Sequence, residues 1–127
     1  MIDCIIDTNC ILRYLLSDNT KQADQVQRYF TDAKQKKIYI TVPFLVFFES
    51  VFMLMKLYKM EKRDVVEKLT VLAGLSYLDI EKRNILLQAL SFFSKTNISF
   101  VDSVLLVEAR QTGKQLLTFD KKLKKLV

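Results

Sequence analysis

Four acidic residues carry most of the chemical information in this 127-residue chain. Asp7 ends the apolar run Cys4-Ile5-Ile6, and Asp120 ends a similar run, Leu116-Leu117-Thr118-Phe119. Glu49 interrupts FLVFFESVFML, and Asp102 stands near the start of ISFVDSVLLVEA, both otherwise nearly all apolar. A carboxylate in such surroundings needs a partner, a proton or a cation. Four carboxylates gathered at one place repel one another unless a cation lies among them. Hard divalent ions such as Mg2+ or Mn2+ favour oxygen ligands of this kind. The chain has no histidine, which excludes a histidine-based zinc site, a Ser-His-Asp triad and histidine general-base catalysis. With two glycines it has no Gly-rich phosphate loop either.

Each acid also has a plainer role open to it. Asp7 is suited to cap a helix beginning near Asn9, and Asp120 to cap KKLKKL. Asp102 is suited to the positive end of its helix. Glu49 is suited to a buried ion pair.

The elements that must position these residues follow from the hydropathy pattern. Residues 2–6 read as a short buried strand and 9–16 as a helix. SDNT breaks the chain, and Thr20 opens a helix whose apolar face carries Ala23, Val26 and Phe30. Lys34, Lys36 and Lys37 crowd its end. IYIT at 38–41 reads as a strand, and Pro43 suits the first turn of a helix reaching about Tyr58. A helix over 61–73 ends at Gly74, and SYLDI at 76–80 reads as a strand. Residues 81–95 return to helical spacing, with Ile85, Leu86, Ala89, Leu90 and Phe93 as the apolar stripe. TNISF is a connector or strand, 101–112 a helix closed by Gly113, KQLLTF the last strand, and KKLKKLV a basic amphipathic turn or two. Helices alternating with apolar strands predict an α/β fold: a three-layer α/β/α sandwich with a mostly parallel central sheet, in one domain over 1–127.

The chain carries 20 Lys and Arg against 14 Asp and Glu, a formal charge of +6, which favours a polyanionic partner without naming it. Cys4 and Cys10 read as buried reduced thiols rather than a disulfide framework. No signal peptide is visible, and VPFLVFFESVFMLM is too short to span a bilayer. A soluble cytoplasmic protein without membrane contact is the expectation.

The chain resembles the PIN-domain family of metal-dependent ribonucleases, and within it the VapC-type toxins of toxin–antitoxin pairs. IIDTNCIL matches the opening motif with Asp7, FFESVFML the second with Glu49, SFVDSVLLVEA the third with Asp102, and LLTFDKKLKKL the last with Thr118 and Asp120. The four occur in order over nearly the whole chain. Ser103 replaces the usual small alanine-like residue, Phe47 and Phe48 are bulkier than usual, and the stretch after Lys121 is short for the family.

The resemblance implies RNA as substrate, Mg2+ with Mn2+ as substitute, and products ending in 5′-phosphate and 3′-hydroxyl. Asp7, Asp102, Glu49 and Asp120 would be the metal ligands and catalytic carboxylates, with Thr8, Asn9 and Thr118 orienting them. Arg13, Lys121, Lys122, Lys124 and Lys125 are the candidate contacts to the RNA backbone, since the first and last motifs should converge. A homodimer and a small antitoxin that blocks the acidic site are also implied. Helix 43–58, apolar on nearly every face, gives the dimer independent support through Phe44, Phe48, Phe52, Met53 and Met55.

The competing reading is a catalytically inactive α/β module that binds RNA or protein. A receiver-like phospho-acceptor domain shares the early acidic pair, Asp3 and Asp7, but not the order of the later residues.

Overall fold

The computed structural model describes residues 1–127. Strand β1, Ile2–Ile5, leads directly into helix α1, Thr8–Leu16. Helix α2 runs Thr20–Lys34 and returns the chain to strand β2, Ile38–Val42. Helices α3, Phe44–Lys56, and α4, Lys62–Ala73, precede a two-residue strand β3, Asp79–Ile80. Helices α5, Arg83–Lys95, α6, Phe100–Thr112, and α7, Lys121–Leu126, complete the chain. The three strands are parallel in the order β1-β2-β3 and lie among the seven helices, the α/β architecture expected of a three-layer sandwich. No helix is long and apolar enough to cross a membrane.

The register explains which side of the sheet is dry. Cys4 pairs with Ile40, Ile2 with Ile38, and Val42 with Ile80, so these residues share one face. Ile40, Val42 and Ile80 are buried there, in one core with Ile11 and Leu12 of α1, Val26 and Phe30 of α2 and Phe47 and Leu54 of α3. The opposite face carries Asp3, Tyr39, Ile5, Thr41 and Asp79, of which Ile5 is 75% exposed. There the Thr41 hydroxyl donates to Asp79 Oδ2 at 3.2 Å.

Several helix ends are closed by side chains from distant parts of the chain. Pro43 offers α3 no cap of its own, and Glu81 Oε1 accepts from the Phe44 N–H at 2.8 Å instead. Lys62 Nζ donates to the carbonyls of Phe93 and Thr96 at the end of α5, and lies 4.9 Å from the Phe93 ring centroid. Arg83 donates to the carbonyls of Ala73, Leu75 and Leu78.

Two expectations fail. The strand expected over 76–80 shrinks to Asp79–Ile80, and Arg83 takes the Leu78 carbonyl just before it. The strand expected in KQLLTF does not form: residues 114–120 have no regular structure and pair with no other strand. Leu117 is 85% and Phe119 98% exposed.

Candidate active site

Asp7 stands just past the carboxyl end of β1, where ligands bind in open parallel sheets. It is also the N-cap of α1, its Oδ1 accepting from the Cys10 N–H at 2.9 Å. The capping role and a place at the sheet's functional end are therefore both realised by one exposed side chain. Thr8, next in the chain, is buried, and Asn9 is exposed. Burial, and after it the hydrogen bond to the Asp7 carboxylate, pushes the Cys10 thiol above its ordinary pKa.

Asp102 occupies the first turn of α6, half-buried, with its own N–H donating to Ser99 Oγ at 3.1 Å. Ser99 is thus the cap that sets where α6 begins and where Asp102 stands. The signal for it is the Ser-x-x-Asp spacing of Ser99 and Asp102 before an apolar run, a capping pattern that motif matching alone passes over.

Glu49 departs from expectation. It lies on α3, which buries Val46, Phe47, Ser50, Val51 and Leu54 but turns Leu45, Glu49 and Phe52 outward. Its carboxylate is exposed and belongs to neither ion pair of the structure, which are Arg13–Asp18 and Lys82–Glu108. The apolar sequence around it is real, but those side chains lie on the other side of the helix, so no buried partner is required.

Asp120 is the N-cap of α7, accepting from the Leu123 N–H at 2.9 Å, while its own N–H donates to Thr118 Oγ1 at 3.0 Å. Helix α7 packs on α6 through Leu123, which joins Ile98 and Leu106 in a small second core. Lys121, Lys122, Lys124 and Lys125 are all exposed on it, with Lys124 Nζ 5.9 Å from the Phe119 ring centroid. Arg13 is held within the fold: its Nη1 reaches both Asp18 oxygens, at 2.9 and 3.0 Å, and its Nη2 the Tyr58 hydroxyl at 2.7 Å. The bond to Tyr58, with the Asp18 charge beside it, raises the guanidinium pKa further.

Helix α3 packs against both α1 and α6, so Asp7, Glu49 and Asp102 stand on neighbouring elements. Their oxygens suit a hard divalent cation. The spacing does not: no three Asp, Glu or Cys side chains converge closely enough to hold a metal ion. As arranged here, the donor set fits such an ion in chemistry and fails it in geometry.

Beside Asp7 lies a cleft of about 430 Å3, lined by Cys4, Ile5 and Ile6 of the first strand segment, Ile38 and Ile40 of β2, Cys10 and Tyr29. A second, almost wholly apolar groove of about 270 Å3 runs between α3 and α6, past Phe48, Phe52, Met55, Phe100 and Val101.

Comparison with known proteins points to the same family. The chain is 27% identical over 123 residues to a VapC ribonuclease of Aquifex aeolicus (strain VF5), covering 96% of this chain and 90% of that protein. No solved structure matches it. The PIN domain family model matches residues 4–127, and the chain belongs to the PIN domain family.

Proposed function

We propose that this chain is a ribonuclease that hydrolyses RNA phosphodiester bonds with the help of Mg2+ or Mn2+. The observation that carries the reading is that the family match runs through residues 4–127 and so takes in all four motif carboxylates. The relative's name supplies the activity class, and we extend it to this chain. Asp7, Glu49, Asp102 and Asp120 are the residues assigned to cation binding and catalysis. These four carboxylates would hold the cation, whose chemistry there would be to polarise a phosphate oxygen and acidify a water.

The chain's own groups do the rest of the work in this proposal. Lys121, Lys122, Lys124 and Lys125 bind the RNA backbone through its phosphates, contacts that position substrate without reading sequence. Thr118 holds the backbone next to Asp120, and the buried Thr8 fixes the start of α1 beside Asp7. Arg13, engaged by Asp18 and Tyr58, serves the fold first and reaches phosphate only by exchanging a partner.

The same proposal makes the chain the toxin of a toxin–antitoxin pair in the cytoplasm, held inactive by a small antitoxin over the acidic residues. It pairs as a homodimer through the open side of α3. Leu45 and Phe52 are 66% and 60% exposed there, and Phe52 shares an apolar groove with Val101 of α6. Exposed apolar surface of this kind marks an interface.

The failure of three carboxylates to converge is what the competing reading, an inactive binding module, would show. One assay separates the two. Purified protein should cleave RNA in Mg2+ or Mn2+, lose that activity in EDTA, and lose it again on Asp7→Asn. RNA bound but uncut under every condition supports the module instead.

A further inference from the structure

The positive charge of this chain is unevenly placed. Residues 82–127 hold nine Lys and Arg against three Asp and Glu, while residues 1–81 hold eleven of each. The whole formal charge of +6 therefore resides on the part of the chain that contains α5, α6 and α7. No Asp or Glu occurs between Lys82 and Val101, so α5 exposes Asn84, Gln88, Ser91, Ser94 and Lys95 with no carboxylate among them. Of the three acids beyond, Asp102 stands in the first turn of α6, Glu108 is paired with Lys82 at 2.8 Å, and Asp120 caps α7.

We infer that the groove between α5 and α6 is a second contact for the RNA backbone, a track that leads phosphates from the start of α6 to α7. The groove, of about 240 Å3, is lined by Gln88, Ser91, Phe92, Lys95, Val107 and Arg110. Lys95 and Arg110 are exposed, and neither belongs to an ion pair. Arg110 Nη2 donates to the Leu126 carbonyl, which leaves most of the five guanidinium N–H donors for a phosphate. The same guanidinium lies 5.8 Å from the Phe92 ring centroid. Between the two cations, Gln88 and Ser91 offer donors and acceptors to ribose hydroxyls.

The direction of the track follows from the helices. Only residues 96–99 separate α5 from α6, and so short a connection makes them antiparallel neighbours. Lys95 thus lies at the end of the groove next to the start of α6, where Asp102 stands, and Arg110 lies toward the other end. Gln88 and Lys95 are seven residues apart on α5, about 10 Å along its axis. Past Arg110 the track reaches α7, because Leu126 packs against the same small core as Phe92. A phosphodiester strand alternates charged phosphates with sugar hydroxyls, and the groove alternates cations with neutral polar groups in the same way. That the polyanion is RNA rests on the ribonuclease reading; the track itself rests on charge and geometry.

The test is the anisotropy of a labelled single-stranded RNA titrated with the full chain in EDTA, over a range of salt. Lys95→Ala breaks no ion pair and should lower the slope of log affinity against log salt by roughly 0.7, the value for one phosphate contact on a single strand. Adding Arg110→Gln should bring the fall to roughly 1.4. Arg110→Lys keeps the charge while giving up the guanidinium bond to Leu126, and in the same background it should add nothing to the fall. Lys34→Ala with Lys37→Ala removes an equal charge from the end of α2 and should leave the slope as it was. Equal falls for the two double variants reduce the groove to diffuse charge and overturn the track, as does a slope that neither changes. Displacement of the RNA by polyglutamate as readily as by polyuridylate assigns the groove to an acidic protein and overturns the track too. A parent that binds RNA with the expected slopes but cuts none in Mg2+ or Mn2+ keeps the track and loses the ribonuclease reading. One that cuts RNA with a slope indifferent to Lys95 and Arg110 keeps the reading and loses the track.

Discussion

Asp7 is the best place to separate catalysis from folding, because the structure assigns it a measurable structural duty. Its Oδ1 caps α1 by accepting from the Cys10 N–H at 2.9 Å. Alanine removes that acceptor at a cost of about 1 kcal/mol. In a chain of this size that loss lowers Tm by about 4 °C. Asparagine caps a helix as well as aspartate does, so Asp7→Asn loses only the charge at the helix N-terminus, roughly 0.3–1 kcal/mol. Hydrolysis is expected to behave differently, falling at least about a hundredfold in both variants, the scale on which losing an electrostatic contact to the transition state is felt. The assay is a thermal melt of parent, Asp7→Asn and Asp7→Ala beside cleavage of labelled RNA in Mn2+. The reasoning is refuted if both variants cut RNA at the parent rate, whatever their melting temperatures: Asp7 would then be a cap and nothing more.

Three further outcomes follow from contacts already described. Phe52→Lys should leave the unfolding free energy of the monomer within about 0.5 kcal/mol of the parent's, since Phe52 is exposed, while shifting sedimentation from dimer to monomer; an unchanged dimer removes α3 from the interface. Arg83→Met leaves the carbonyls of Ala73, Leu75 and Leu78 without their charged donor and should cost at least about 2 kcal/mol in urea unfolding. The Asp79 carboxylate, on the same face of the sheet, and after it desolvation raise the Tyr39 phenol pKa above its ordinary value. The folded state thus holds that proton more tightly, so the stability it adds is intact below about pH 10 and is lost as pH rises through the folded value. Tyr39→Phe should flatten the alkaline end of a stability–pH curve, and an unchanged curve would remove the influence of Asp79 on Tyr39 from the account.

Much of this fold could be read locally. The period of α2, α5 and α6, the break at SDNT and the glycine after α6 are signals contained within a few residues, and all appear in the structure. What escaped depends on partners far away in the chain. Nothing near Pro43 announces that Glu81 will cap α3, and nothing in SYLDI announces that Arg83 will claim the Leu78 carbonyl. KQLLTF has the composition of a strand, yet strand formation requires an edge to pair with, and composition cannot say whether the segment reaches one. At the site, the cap geometry of Asp7 and Asp120 was readable from the residues after them. The outward turn of Glu49 was not, because α3 is apolar all round in sequence and only its packing reveals the open side. Whether the four acids approach one another is a question of tertiary distance, and motif order is silent on distance.

The long-range clamps also bear on how the chain comes into being at the ribosome. Glu81 holds the start of α3, Arg83 the turn after α4, and Lys62 of α4 reaches forward to the end of α5. A nascent chain that has released α1 to α4 but not residues 81–96 has neither the cap for α3 nor an outlet for the Lys62 ammonium. The start of α3 and the join of α4 to α5 are therefore fastened only once α5 has left the exit tunnel, and a message cut short before that point yields a fragment whose α3 lacks its N-terminal cap.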